Sequence, residues 1–377
     1  MTKNKNARNQ RIVVKLGTSL LTGGGEQLDE GTISDLVRQV GQLHHEGVEL
    51  VIVSSGAIAA GRYKLGLTGK AKDIPFKQVL ASVGQHRLMN VYERLFNRYD
   101  ITIAQALLAK ADLSQRASYL NARNTLLTLL ELRVMCIVNE NDVVAVDEIE
   151  SARFGDNDIL SAMAANLIDA DRLFLLTDTA GLYTADPRRH ADAHLVPEVE
   201  RIDSEIEQLT GDTSSHLGTG GMITKMEAAK LATASGISVA IADGREPDVI
   251  LRLAAGEGIG TSCRPGVSKL DSRKRWMLSG LAVKGKLVID AGAALALQKQ
   301  KRSLLATGIK QSIGKFERGD IVDIYDPGDI RLGCGITNYG SADIAVIKGA
   351  HSRKIATLLG YDYGSEVVHR NNLVVLD

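Results

Sequence analysis

Short apolar runs alternate with longer amphipathic segments along the first 260 residues of the chain. Most of these runs are apolar without interruption, which is typical of strands covered on both faces. They predict strands at residues 12–16, 50–53, 101–108, 134–138, 173–176 and 238–241. The segments between them predict helices at residues 33–44, 76–98, 119–130, 159–168 and 223–235. This alternation predicts an α/β fold with a mostly parallel open sheet sandwiched by helices.

The pattern changes near residue 263. Residues 263–277 hold a dense charged stretch and the single tryptophan, Trp276, and they indicate a linker. After it, short runs separated by Gly and Asp predict strands, with one helix over 291–299, and therefore a small, mainly β module. The predicted strands are residues 286–289, 321–325, 344–347 and 373–376. We expect four parts in chain order: a disordered polar tail over 1–10, an α/β domain over 11–262, the linker, and the β module over 278–377.

Composition narrows the class of protein. Lys plus Arg and Asp plus Glu both number 45, so no global basic field marks the chain as a nucleic-acid binder. Its cysteines, Cys136, Cys263 and Cys334, are odd in number and far apart. Neither a disulfide scaffold nor a zinc motif fits them, and we assign no metal-ligating residues. No apolar stretch reaches 18 residues and the N-terminus is polar, so we expect a soluble, cytoplasmic protein.

The loops that follow the predicted strands carry the candidate chemistry, because ligands of parallel α/β sheets bind at the carboxyl ends of the strands. The clearest is residues 218–225, Gly-Thr-Gly-Gly-Met-Ile-Thr-Lys, which runs into a predicted helix. Glycines allow a ligand to approach the backbone, the free N–H groups of a helix start attract anions, and Lys225 adds a positive charge. The segment therefore suits phosphate, although a flexible turn entering a helix explains it equally well.

Five other loops share this polar, small-residue character, and two of them are residues 139–142 and 177–183. Lys15 ends the first strand and can reach a phosphate there, although a lysine reaching solvent from a strand end is the simpler interpretation. Ser55 and Gly56 follow the second strand and can cap a helix or bind a carboxylate. Asp156, Asn157 and Asp158 open a predicted helix, and one of them would suffice as its cap.

In order along the chain, these loops resemble the motifs of the amino acid kinase family. The resemblance covers about residues 11–262, and residues 316–320 and 333–339 of the β module resemble a PUA domain. The motifs are Val-Val-Lys-Leu-Gly-Thr-Ser (13–19), Val-Ser-Ser-Gly-Ala-Ile (53–58), Asn-Glu-Asn-Asp (139–142), Phe-Gly-Asp-Asn-Asp (154–158), Leu-Leu-Thr-Asp-Thr-Ala-Gly-Leu-Tyr (175–183) and Gly-Thr-Gly-Gly-Met-Ile-Thr-Lys (218–225).

The resemblance implies an enzyme that uses ATP and Mg²⁺ to phosphorylate the γ-carboxylate of L-glutamate, giving L-glutamyl 5-phosphate, the first step of proline biosynthesis. It implies catalytic roles for Lys15, Asp158 and Lys225, with Asp158 holding both lysines. The implied glutamate-binding residues are Ser55, Gly56, Asp142 and Asn157. The implied ATP-binding residues are Lys15, Thr177, Asp178, Thr219, Gly220, Gly221, Met222, Ile223, Thr224 and Lys225.

Substrate identity is the weaker part of this interpretation, because family members also act on acetylglutamate, aspartate, carbamate or UMP. The resemblance further implies proline as a feedback inhibitor, a glutamyl phosphate reductase as a partner, and a homo-oligomer. RNA binding is the rival function, since PUA modules of other proteins bind RNA. Residues 278–377 carry 13 Lys and Arg against 10 Asp and Glu, and a net charge of +3 is weak for a polyanion site.

Overall fold

The computed structural model describes residues 10–67, 73–110, 113, 115–144, 156–187, 189–190, 192–204, 206, 209, 221–266 and 283–376, without the side chains of Arg116 and Asp156. The chain divides into two compact units. The first comprises residues 1–113 and 122–269, and the second comprises residues 114–121 and 270–377. Residues 1–9 of the predicted tail and residues 267–277 of the predicted linker lie outside the described residues, so the bounds of the four predicted parts stay predictions.

The first unit is built on a sheet of eight strands within the described ranges. Their order across the sheet is β3-β4-β2-β1-β5-β7-β8-β6. Each neighbouring pair is parallel except β7 with β8, which is antiparallel. The strands are β1 (Arg11–Leu16), β2 (Glu49–Ser54), β3 (Ile103–Leu108), β4 (Met135–Glu140), β5 (Arg172–Thr177), β6 (Glu198–Val199), β7 (Ser238–Asp243) and β8 (Thr261–Cys263).

Helices join the strands of this unit. They are α1 (Thr18–Leu21), α2 (Glu30–His45), α3 (Ala57–Lys64), α4 (Ile74–Phe96), α5 (Arg116–Glu131, of which residues 116–121 belong to the second unit), α6 (Asp156–Leu167), α7 (Met222–Ala234) and α8 (Val249–Ala255). Local signals place two of the helix starts. The side chain of Asp29 accepts hydrogen bonds from the backbone N–H groups at the start of α2, and Asp73 does so for α4. The predicted mostly parallel sheet between helices is confirmed.

Register brings the ends of the central strands to one edge of the sheet. Lys15 near the end of β1 pairs with Val53 of β2 and with Leu175 of β5. Thr177, the last residue of β5, pairs with Asp243, the last residue of β7. The loops after these strands therefore lie side by side, where ligands of parallel sheets are expected.

Helices α3 and α4 pack unusually closely. A Cβ atom at Gly84 of α4 would lie 1.7 Å from the carbonyl oxygen of Ala57, and one at Gly61 of α3 would lie 1.9 Å from that of Leu80. Only glycine permits this approach of two helix backbones. The contact fixes α4 against the loop that precedes α3, which contains Ser55 and Gly56.

The second unit contains a five-stranded sheet among its described residues, ordered β11-β9-β12-β13-β15, and a separate pair, β10 with β14. Its strands are β9 (Val283–Ile289), β10 (Leu304–Leu305), β11 (Ile309–Ile313), β12 (Ile321–Tyr325), β13 (Arg331–Ile336), β14 (Glu366–Val368) and β15 (Leu373–Val375). Its helices are α9 (Ala291–Gln298), α10 (Ser341–Ile347) and α11 (Ile355–Leu359). Short 3-10 turns occur in this unit at Ala306–Gly308, Ser352–Lys354 and Arg370–Asn372, and in the first unit at Asn97–Tyr99. The predicted small, mainly β domain is confirmed.

One predicted strand of this unit is wrong. Residues 344–347 form the end of helix α10 instead of a strand. The run of four residues is too short for its periodicity to separate the two structures. The start of the helix decides the outcome, because the side chain of Asp343 accepts a hydrogen bond from the backbone N–H of Gly340, 3.2 Å away.

Candidate active site

Two lysines and one aspartate form the centre of the site at the carboxyl edge of the sheet. Nζ of Lys15 lies 2.6 Å from Oδ1 of Asp158, and Nζ of Lys225 lies 3.4 Å from Oδ2 of the same carboxylate. The exposed fractions of the side chains are 6%, 5% and 0% for Lys15, Lys225 and Asp158. The three residues come from β1, α7 and α6, so the fold brings together residues that are far apart in sequence.

Burial and charge act in opposite directions on these groups. Burial lowers the pKa of Lys15 below its usual value, the negative charge of Asp158 opposes that shift, and the positive charge of Lys225 adds to it. Burial alone would raise the pKa of Asp158, but the two ammonium charges outweigh it and hold the pKa of this carboxyl below its usual value. Asp158 therefore stays ionised, and the cluster carries one surplus positive charge when both lysines are protonated.

The start of α7 lies beside this cluster. Gly221 precedes the helix, and the hydroxyl of Thr224 lies 2.8 Å from Oδ2 of Asp158 and 2.9 Å from the carbonyl oxygen of Gly221. Met222 is partly buried, and Ile223 is 42% exposed. The N–H groups of the first helical turn have no partner within an α-helix, so this end suits an anion. Thr219 and Gly220, which the resemblance to the amino acid kinase family also assigns to ATP, lie outside the described residues.

The ends of β5 and β7 form the next part of the edge. Thr177 is buried, and its hydroxyl lies 3.1 Å from Oδ1 of Asp178, which is exposed. The sequence interpretation missed Arg245. Its guanidinium binds the carboxylate of Asp243 and donates to the carbonyl oxygen of Asp178 at 2.7 Å. No pattern in the sequence singles out this arginine, because it follows its strand in an ordinary turn.

The residues assigned to glutamate lie on the other side of Lys15, after β2 and β4. Ser55 is buried, and its hydroxyl oxygen lies 2.9 Å from Nδ2 of Asn157. Gly56 has φ of 95°, a left-handed conformation that favours glycine, and it is followed directly by α3. Asp142 lies on the turn after β4, where burial raises its pKa to about 6. The structure thus brings Ser55, Gly56 and Asn157 together and places Asp142 at the end of the neighbouring strand.

Three polar residues of this region were not assigned from the sequence. Asn139, the penultimate residue of β4, contacts Asn157 through Oδ1 at 3.2 Å and donates from Nδ2 to Gln85 at 2.7 Å. Tyr92, fully buried on α4, lies 2.8 Å by its hydroxyl from the hydroxyl of Ser54. Asn139 belongs to a recognised motif and could have been found, whereas Gln85 and Tyr92 lie inside a long helix with no distinguishing neighbours.

The described part of the chain shows neither a cluster of metal ligands nor a membrane-spanning helix. It contains no group of three or more His, Cys, Asp or Glu side chains arranged to hold a metal ion. Nor does any helix within it combine the length and apolar character that a membrane crossing requires.

Comparison with known proteins gives two family matches. Residues 10–243 match the amino acid kinase family, and residues 285–359 match the PUA domain. Glutamate 5-kinase of Dehalococcoides mccartyi is 59% identical over 367 residues, which cover 97% of this chain and 98% of the relative. Glutamate 5-kinase of Herpetosiphon aurantiacus is 49% identical over 364 residues, covering 97% and 98%. The crystal structure of UMP kinase from Ureaplasma parvum aligns with a TM-score of 0.48 at 14% identity, covering 68% of this chain and 100% of that one. The chain therefore belongs to the amino acid kinase family, within it to the glutamate 5-kinases, and carries a PUA domain in its C-terminal part.

Proposed function

We propose that this chain transfers the γ-phosphoryl group of ATP to the γ-carboxylate of L-glutamate, which gives L-glutamyl 5-phosphate and starts proline biosynthesis. The observation that carries the proposal is the buried cluster of Lys15, Asp158 and Lys225 at the carboxyl edge of the sheet. The near full-length match to glutamate 5-kinases supports the choice of acceptor.

The chemistry fits such a cluster. The acceptor carboxylate has a free pKa of about 4.3, so it is ionised at neutral pH and needs no general base. The reaction instead requires two anions that repel each other to be held in line, and it requires negative charge to be neutralised in the transition state. Lys15 and Lys225 supply that charge, and Asp158 fixes both ammonium groups so that they need not reorganise during transfer.

The two substrates take opposite sides of Lys15. The glutamate side is formed by Ser55, Gly56, Asp142 and Asn157. The nucleotide side is formed by Thr177, Asp178 and the loop entering α7, with Gly221, Met222, Ile223, Thr224 and Lys225 among its described residues and Thr219 and Gly220 in the part outside them. Arg245 supports this side, because it holds the backbone of Asp178.

Mg²⁺ binds as its complex with ATP. Asp158, the buried carboxylate at the centre, is already engaged with both lysines, which leaves it unsuited to a metal. The donor set fits an ion held largely by phosphate oxygens and water, as Mg²⁺ prefers, and such an ion neutralises charge on the phosphates. Removing Mg²⁺ with a chelator is expected to abolish turnover, and adding Mg²⁺ back is expected to restore it.

The product is an acyl phosphate that water attacks readily, so we propose that it is transferred to a glutamyl phosphate reductase. From the family resemblance we also propose inhibition by proline at the glutamate side and a homo-oligomeric enzyme. Competition between proline and glutamate in a binding experiment tests the second. Simultaneous binding of both ligands would exclude it.

The deciding experiment is trapping of the acyl phosphate with hydroxylamine in the presence of ATP and Mg²⁺. Glutamate, acetylglutamate, aspartate and UMP are compared as acceptors, with ADP release measured in parallel. Hydroxamate from glutamate alone supports the proposal. Hydroxamate from another acceptor overturns the substrate assignment while leaving the phosphate site in place, and ADP release with UMP alone would do the same. A salt-sensitive complex with tRNA, without any turnover, would favour RNA binding instead.

A further inference from the structure

Three side-chain amides form a continuous row beside the proposed glutamate side. Nδ2 of Asn157 lies 3.2 Å from Oδ1 of Asn139, and Nδ2 of Asn139 lies 2.7 Å from Oε1 of Gln85. The residues come from the first turn of α6, the end of β4 and the middle of α4. Asn139, in the centre, is 2% exposed, so water has little access to its amide, whereas Gln85 and Asn157 are partly buried.

The backbone carbonyl of Ser54 fixes the direction of this row. A carbonyl oxygen can only accept a hydrogen bond, and it lies 3.0 Å from the amide nitrogen of Asn157. Rotating the Asn157 amide by half a turn would place two acceptor oxygens against each other. With Asn157 held in this way, Asn139 must present its oxygen to Asn157 and its nitrogen to Gln85. The orientation of each amide thus depends on the next.

Both ends of the row are buried polar atoms. Oδ1 of Asn157 and Nε2 of Gln85 have no hydrogen-bond partner among the described residues. Buried polar atoms of folded proteins are nearly always paired, so an unpaired one at a binding site indicates where a ligand supplies the partner. Oδ1 of Asn157 is an acceptor and therefore requires a donor. Glutamate offers one strong donor, its α-ammonium group, while both of its carboxylates are acceptors.

We propose that Gln85 is a positioning residue for substrate selection. By accepting from Asn139 it holds the Asn139 oxygen towards Nδ2 of Asn157. This contact adds to that of the Ser54 carbonyl in keeping Oδ1 of Asn157 turned towards the α-ammonium group of the substrate. Gln85 acts through Asn139 and is remote from the transferring phosphoryl group. The inference rests on the proposed function, because it takes glutamate as the acceptor.

Two substitutions separate this role from simple packing. Gln85→Met keeps the length of the side chain and removes the acceptor, so the Asn139 amide loses its anchor. Gln85→Glu keeps an oxygen that can accept from Asn139 and preserves the direction of the row. The measurements on full-length enzyme are kcat, KM for glutamate, KM for ATP, and the inhibition constant of glutarate, which is glutamate without its amino group.

In Gln85→Met we expect KM for glutamate to rise on the order of 10-fold, because the loss of one hydrogen bond to the substrate weakens binding by about this factor. The KM for ATP and the inhibition constant of glutarate should stay close to those of the unmodified chain, and Gln85→Glu should restore most of the loss. The inference is wrong if Gln85→Met weakens glutarate or ATP as much as glutamate, if it leaves KM for glutamate unchanged, or if Gln85→Glu is equally impaired. If the unmodified chain forms no hydroxamate from glutamate, the proposed function itself fails. If it does, these outcomes bear on Gln85 alone.

Discussion

Nζ of Lys15 lies 2.6 Å from Oδ1 of Asp158, and the two side chains are almost completely buried. Removing one partner of a buried ion pair leaves the other charge without compensation in a medium of low polarity, which is more costly than the pair itself is stabilising. Lys225 depends on the same carboxylate, 3.4 Å from its other oxygen. Asp158 therefore has a structural and an electrostatic role, and the two can be measured separately.

Asp158→Asn is expected to destabilise the fold. The variant leaves two buried ammonium groups facing a neutral amide, and loss of one partner of a buried pair costs roughly 3–5 kcal/mol in the free energy of unfolding. Urea unfolding without ligands measures it. Glu30→Gln is the matched control, because the Glu30–Arg94 pair is half-exposed and such pairs contribute about 0–1 kcal/mol. Equal losses in the two variants would contradict the role of burial.

Lys225→Ala is expected to lower kcat by at least about 100-fold, the scale of one lost electrostatic donor to a transition state. Stability should change little in comparison, because this substitution leaves the pair of Lys15 and Asp158 intact. The hydroxamate assay gives kcat, and Lys230→Ala, an exposed position on the same helix, serves as the control. Near-normal turnover in Lys225→Ala would remove this lysine from the catalytic set.

The central part of this site could be predicted from the sequence. Lys15 lies near the end of β1 and Thr177 is the last residue of β5, and the carboxyl ends of parallel strands meet at one edge, so the predicted strands place these two residues together. The roles of Asp158 and Lys225 come instead from the resemblance of their motifs to the amino acid kinase family. Gln85 could not be found in this way. It lies inside a 23-residue helix, and its contact with Asn139 depends on how closely α3 and α4 pack, which is decided by backbone contacts at Gly61 and Gly84. Residues 344–347 show the same limit, because a capping contact outside the run decides its structure.

Gly84→Ala tests that helix packing. Its added methyl group would overlap the carbonyl oxygen of Ala57, so the helices must move apart, and overpacking of this kind costs about 1–3 kcal/mol in the free energy of unfolding. Because Gln85 is the next residue, the shift should also raise KM for glutamate more than KM for ATP. Urea unfolding and initial-rate kinetics measure the two effects. Ser82→Ala, at an exposed position of the same helix, should change stability by no more than about 0.5 kcal/mol. An unchanged Gly84→Ala would show that the helices can separate without cost.

Asp142 gives the site a dependence on pH. Burial raises the pKa of its carboxyl from 3.8 to about 6. In the protein without substrate, the carboxyl is therefore neutral below pH 6 and ionised above it. Because the folded-state pKa is raised, the stability contributed by this group is present below the unfolded pKa and is lost as pH rises through about 6. The ionised form, which is the less stable one in the free protein, is the form that can pair with the α-ammonium group of glutamate.

We therefore expect kcat/KM for glutamate to increase by about 10-fold between pH 5 and pH 7, with its midpoint near 6, because this ratio reports ionisations of the free enzyme. The same ratio for ATP should show no such step, since the nucleotide is assigned to the other side of Lys15. In Asp142→Asn, kcat/KM for glutamate should be independent of pH and equal to the low value that the unmodified chain has at pH 5, because a neutral amide resembles the protonated acid. The thermal stability of the unmodified chain should decrease as pH rises through about 6, and that of Asp142→Asn should not. A step near pH 6 that survives in Asp142→Asn would assign the titration to another group and remove Asp142 from recognition of the ammonium.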